Sequence, residues 1–217
     1  MPYAHSSNAD GMRHDLHDHL HAVADLAAEF ASRFGATALG RYLGLWHDVG
    51  KLAPEFQRYL LAAEEGRRLP SPDHKAAGAL LALEWLGALA LPLQGHHGGL
   101  TSLSDCKAWL AEHRDAAART LGDAHQQFPD LRPERPLALP ETAASDILEV
   151  EVLLRLLYSA LVDADYLDTE RHFSPASGIQ RTVGPSLEVL WQRFEADQAR
   201  LTGHADDPVN HTRHAIY

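Results

Sequence analysis

A chain of 217 residues, 45% hydrophobic and 23% charged, suits one sizeable buried core and excludes an intrinsically disordered protein. A formal net charge of −11 argues against a protein that coats nucleic acid by itself, because phosphate binding draws on a basic surface. It still permits chemistry on phosphates, since bound cations invert the sign of a carboxylate-lined pocket.

No apolar run approaches the ~20 residues needed to cross a bilayer, which predicts no membrane contact. The opening "MPYAHSSNADGMRHDLHDHLH" has polar and acidic residues where a signal peptide needs an apolar stretch, so the expected location is cytoplasmic. The single Cys106 can form neither an internal disulfide nor a thiolate metal site, so any metal must be held by nitrogen and oxygen.

In chain order, Leu16, Leu20, Val23, Leu26, Ala27 and Phe30 recur at helical spacing and Gly35 closes that helix. A second helix is predicted from Thr37, as N-cap, to Asp48, stopped by Gly50, with His47 and Asp48 in its last turn. Pro54 opens a third that runs to about Glu65, and "GRRLPSPD" reads as a loop. The stretch "HKAAGALLALEWLGALA" predicts another helix ending before Pro92. "GHHGGL", residues 95–100, is glycine-flanked and predicts a turn or helix start presenting His96 and His97. A helix over Ser104 to Leu121 is followed by the four-proline stretch "FPDLRPERPLALPE", an extended loop. From about Ala143 to Asp168 a long buried helix carries "LVDADYLDTE" at its end, and residues 185–201 form the last helix. No strand pair or repeat stands out, so the predicted class is all-α.

Fifteen histidines are the compositional anomaly. Eight of them, His5, His14, His113, His125, His172, His204, His211 and His214, read as scattered surface residues. Five of the others fall, with a lysine and aspartates, among ordered elements: His19 in "HDHL", the doublet His47-Asp48, Lys51, His74 in "PDHKAAGA", the doublet His96-His97, and Asp163/Asp165. Singly each is weak, since a lone histidine on an amphipathic helix is usually a satisfied core or boundary residue. Together they supply the six or seven imidazole and carboxylate ligands that suit a pair of divalent transition metals, and Asp48 is placed to bridge the pair. A two-metal site of that kind activates a water and stabilises the leaving oxygen of a phosphodiester. Asp163 and Asp165 are two apart on a helix, point to different faces, and cannot both reach such a site. Ser6, Ser71, Ser102 and Ser159 lack a histidine–carboxylate arrangement, which disfavours a serine hydrolase.

The ordered pattern resembles the HD superfamily of metal-dependent phosphohydrolases, named for the doublet seen here as His47-Asp48. More closely, "YAHS", "HDVGK", "FQRYL", "DHKAAGA", "GHHGGL" and "LVDADYLDTE" resemble the HD nuclease domain of the type I CRISPR-associated helicase-nuclease, over residues 3 to about 173. The resemblance implies a helical bundle with a metal site at its centre. It also implies that His19, His47, Asp48 and an aspartate of the last motif hold one divalent ion, and Asp48, His74, His96 and His97 a second. The family's alanine-aspartate-aromatic ending matches "ADY" and selects Asp165. Lys51 stands where the family has a phosphate-contacting lysine, and Lys75 departs from the serine common in relatives after the fourth-motif histidine.

The expected activity is metal-dependent hydrolysis of single-stranded DNA, endo- and exonucleolytic, in CRISPR interference. The implied partners are a helicase domain, fused or separate, and the CRISPR surveillance complex. Residues 1–203 are expected to form the nuclease domain and 204–217 a tail or the start of a linker to a helicase. The metal is left open among manganese, iron, cobalt, nickel and zinc. Two rival readings are an HD phosphohydrolase of small nucleotides, which would turn over free nucleotides and ignore DNA, and a non-catalytic helical metal-binding adaptor.

Overall fold

A computed structural model describes residues 1–143, 146–174, 184–202 and 208–216. The chain divides into two compact units, Met1–Gly178 and Ile179–Tyr217. The expected boundary at residues 203 and 204 lies outside the described residues, as do His204 and the side chain of His214.

The first unit opens with an element that periodicity did not predict. Strands β1 (Tyr3–His5) and β2 (His14–Asp15) form a two-stranded antiparallel ribbon, with Tyr3 opposite Asp15 and His5 opposite His14. Strands of three and two residues are too short for an alternating pattern to register. Their loop is shaped by Asn8, whose Oδ1 accepts the N–H groups of Asp10 and Met12, both at 3.0 Å.

Asp15 then caps α1 (Leu16–Ser32), accepting from the N–H groups of His17 and Asp18. One face of α1 buries Leu16, His19, Leu20, Val23, Ala24, Ala27 and Ala31, so His19 lies on the apolar stripe. Helix α2 (Thr37–Trp46) starts after Ala36; Thr37 is its first helical residue and makes no cap. It also ends two residues before the predicted Asp48. His47 is the C-cap, and the backbone tightens into a 3₁₀ turn over Val49–Leu52, with Lys51 N–H donating to the Asp48 carbonyl at 2.9 Å.

Helix α3 (Pro54–Glu64) follows as read, and α4 (Ala76–Trp85) is buried at every residue from Ala76 to Ala82. The single helix expected up to Pro92 is broken. Leu86 is extended, Gly87–Leu89 make a 3₁₀ turn, and α5 (Ala90–Gly95) resumes with Pro92 in its first turn, where a missing N–H costs nothing. Helix α6 (Leu103–Gln127) extends beyond its predicted end, its start capped by Ser102. The proline-rich stretch opens with a 3₁₀ turn, Pro129–Leu131, fastened where the Trp46 indole donates to the Leu131 carbonyl at 2.8 Å, and ends at a second, Glu141–Ala143. Helix α7 (Ile147–Phe173) buries Leu153, Leu154, Leu157, Ala160, Leu161, Ala164 and Asp168.

The second unit contains α8 (Leu187–Thr202) and α9 (Pro208–Ile216). The class is all-α, the ribbon aside, and no helix of the described residues is long and apolar enough to cross a membrane.

Candidate metal centre

The sites expected from sequence converge on Asp48 at the centre of the first unit. His19, His47 and Asp48 have side chains with no solvent exposure, although polar groups of this kind are rarely buried without partners. The carboxylate divides the site in two. Its Oδ2 faces His19 Nε2 at 3.4 Å and His47 Nε2 at 3.3 Å, and Asp165 Oδ1 closes that half at 3.5 and 3.7 Å from the same two nitrogens. Its Oδ1 faces His74 Nε2 at 3.6 Å and His96 Nε2 at 3.5 Å, with His97 Nε2 3.0 Å from His74 Nε2.

Each half is therefore a group of four side chains able to hold a metal ion: His19, His47, Asp48 and Asp165, and Asp48, His74, His96 and His97. Ligand atoms each about 2.1 Å from one ion stand roughly 3–3.5 Å apart, which is the spacing seen. Asp48 Oδ1 and His96 Nε2 are buried with no hydrogen-bond partner. Lys51 Nζ lies 2.5 Å from Oδ2 as a buried ion pair, which leaves Oδ1 without a counter-charge of its own. Buried acceptors left in that condition are costly unless a cation completes them, so the donor set fits a metal.

Local structure explains the aim of these side chains. His47 and His96 sit at the C-caps of α2 and α5, where helix carbonyls lack intrahelical partners. Their Nδ1–H groups donate to Gly44 and Leu93 carbonyls at 2.7 and 2.8 Å, which turns each Nε2 toward Asp48. The "GHHGG" turn is present: Gly98 and Gly99 both donate to the Gly95 carbonyl, and Gly99 takes φ +94°. Gly50 has a packing reason instead, since a Cβ there would lie 2.1 Å from the His74 carbonyl oxygen. The 3₁₀ turn carrying Lys51 can thus press directly on the segment carrying His74.

Electrostatics keeps the centre poised. Burial opposes charge on Asp48, but Lys51 and His47 outweigh it and hold the carboxyl well below its usual range. Burial likewise opposes charge on His47, yet Asp48 and Asp165 push its pKa up to about 10. Asp165 is held low against burial by His47. Burial lowers His74 below its ordinary value, favouring the neutral imidazole that binds metals.

Of the paired aspartates, Asp163 points to solvent while Asp165 joins the cluster. The surface reading of His5, His14 and His172 is corrected: all three are half-buried and stack in one layer behind His19. Burial drives His5 down to about 2 and His14 to about 4. Asp168, 5% exposed, went unread; its Oδ2 is 2.7 Å from His19 Nδ1. Its signal was available, because Asp165 and Asp168 are three apart and share a helix face.

Residues 4–148 match the protein family described as Cas3, HD domain. The chain belongs to the Cas3 HD-domain family. It is therefore a CRISPR-associated protein of the HD nuclease type, in a family of metal-dependent hydrolases. The match contains His19, His47, Asp48, Lys51, His74, His96 and His97 and ends at residue 148, in the first turn of α7, so the place of Asp165 rests on geometry alone. No curated protein matches the chain.

Proposed function

We propose that this Cas3 HD domain is a two-metal nuclease that hydrolyses phosphodiester bonds of single-stranded DNA during CRISPR interference, supplied with unpaired strand by a helicase domain or partner. The observation that carries the reading is the fully buried Asp48 carboxylate, whose two oxygens face two separate histidine sets. His19, His47, Asp48 and Asp165 would hold one divalent ion; Asp48, His74, His96 and His97 would hold the other. Such ions supply Lewis-acid activation of water and neutralise charge on the phosphodiester.

The remaining work falls to the chain. Asp48 stays ionised because Lys51 and His47 flank it, so it can serve both halves at once. His47 must give up its proton from Nε2 to act as a ligand, and Asp165 and Asp48 lie within 3.7 Å of that atom. Lys51, buried beside Asp48, would offer one cation to a phosphate oxygen. The buried apolar faces of α1, α2 and α7 pack beside the fully buried His19, His47 and Asp48 and keep water from them. His74 also lines a groove of about 620 Å³ between the start of α3 and α6, floored by Gly50, Ala77 and Ala117, which offers a strand a way in.

The unpaired-strand preference follows from charge. A net −11 chain with a recessed site, and with no basic recognition helix among the described residues, is poorly suited to duplex, whose line charge exceeds that of a single strand. The test is a side-by-side digestion of labelled single-stranded and blunt duplex DNA with manganese, cobalt or nickel, and with EDTA as control. Metal-dependent cutting confined to the single strand is expected. Equal cutting of duplex would remove the need for a helicase, and cutting in EDTA would defeat the metal reading.

A further inference from the structure

We propose that Asp168 is a positioning residue for His19, fixing the proton on Nδ1 so that the Nε2 lone pair faces Asp48, His47 and Asp165. The need is set by where His19 sits. His47 and His96 find free carbonyls for their Nδ1–H groups at the C-terminal ends of α2 and α5. His19 is the fourth residue of α1, where the carbonyls of the preceding turn are already engaged in the helix ladder. His19 is instead oriented by another element.

Helix α7 supplies that partner. Asp168 lies one turn beyond Asp165 on the buried face, so the same stripe brings one carboxylate to the Nε2 side of His19 and a second to its Nδ1 side. The Nδ1···Oδ2 distance of 2.7 Å is that of a strong charge-assisted hydrogen bond. A carboxylate only 5% exposed is costly to bury without such a donor, so the bond orders both side chains. His14, from the N-terminal ribbon, adds a second imidazole nitrogen 3.5 Å from the same Oδ2. Thr169 meets His5 at 3.2 Å, and Asn8 donates to the His172 carbonyl at 3.1 Å. The ribbon therefore closes over the Asp168–His19 pair, which gives these short strands a role in the site.

A carboxylate behind a ligating imidazole sets its tautomer and raises its basicity, and its loss typically weakens metal binding by about 10–100-fold. The inference rests on the two-metal reading, so the experiment separates the two. Cobalt(II) is titrated into metal-free wild-type protein and into Asp168→Ala and Asp168→Asn by calorimetry, with helical content followed by circular dichroism. The zinc-loaded, nitrogen-15 histidine-labelled proteins are compared by NMR for a hydrogen-bonded, exchange-protected proton on His19 Nδ1.

Wild-type protein should bind two equivalents and show that proton. Asp168→Ala should lose the proton and bind one equivalent about tenfold or more weakly, leaving the other unchanged; Asp168→Asn, which still accepts through its amide oxygen, should fall between. Wild-type affinity for both equivalents in Asp168→Ala would overturn the positioning role and leave the metal reading standing. Loss of both equivalents together with helical content would make Asp168 a folding residue and overturn it too. A wild-type protein that binds no cobalt would overturn both readings.

Discussion

Asp48 is the one residue common to both halves of the centre, and this sets it apart from every histidine around it. Asp48→Ala should therefore abolish binding of both ions and all cleavage, whereas His97→Ala should remove one ion and retain the other. Elemental analysis of metal-loaded, desalted variants checks this, and near-full occupancy in Asp48→Ala would refute the shared-carboxylate assignment. The same contrast explains what could be read from sequence. Adjacent residues such as His47-Asp48 and His96-His97 carry their geometry in the chain itself, so each doublet was legible. Asp168 and His19 are 149 positions apart, and their bond exists only because α7 packs on α1. His5 and His14 were misread for a related reason: what buries them is the far end of α7, reached through Thr169 and His172.

The one-sided apolar stripe of α1 and the Pro54 start of α3 make those helices legible in the sequence, whereas α6 runs on past Leu121 to Gln127 and α7 is shifted from the expected Ala143–Asp168 to Ile147–Phe173. The failures lie where local chemistry outweighs periodicity. Helix α2 stops early because a 3₁₀ turn re-aims Asp48, and the α4 region breaks at Leu86 where the backbone turns extended. The ribbon is secured to α3 by Glu64, which accepts from Arg13 Nη2 at 2.6 Å and from the Ser7 amide and hydroxyl at 2.8 and 2.9 Å. The Arg13 hydrogen bond, helped by Ser7, lowers the Glu64 carboxyl to about 2. A carboxyl depressed on folding stabilises the fold above its unfolded pKa and loses that contribution as pH falls through its folded value. Glu64→Gln should thus melt at a lower temperature than wild type at pH 7, with the gap closing between about pH 4.5 and 2. High salt should narrow it as well, because the pair is near the surface. A gap in melting temperature independent of pH and salt would show that shape, and not charge, ties the ribbon down.

At the scale of the whole first unit, the hydrophobic core and the candidate metal centre share the same helices. Leu16, Leu20 and Val23 of α1, Leu43 and Trp46 of α2, and Leu157 and Leu161 of α7 are fully buried around a site whose carboxylate and imidazoles are also buried. Without a metal the fold therefore carries the cost of desolvating Asp48 against one lysine and a histidine held protonated. An ion that binds only the folded chain must shift the folding equilibrium, by about 2.7 kcal/mol per site when present at about 100 times its Kd. For a unit of this size that corresponds to a rise of roughly 5–10 °C in Tm for each site filled. Melting curves in manganese and in EDTA should differ by that order, and the rise should grow with pH between about 6 and 9 as the His47 proton becomes easier to displace. The Asp48→Ala variant should melt at the same temperature in both buffers. If wild-type protein did so too, while still cutting DNA only in manganese, the ions would be binding substrate and not the buried carboxylate, and the centre would have to be placed elsewhere in the fold.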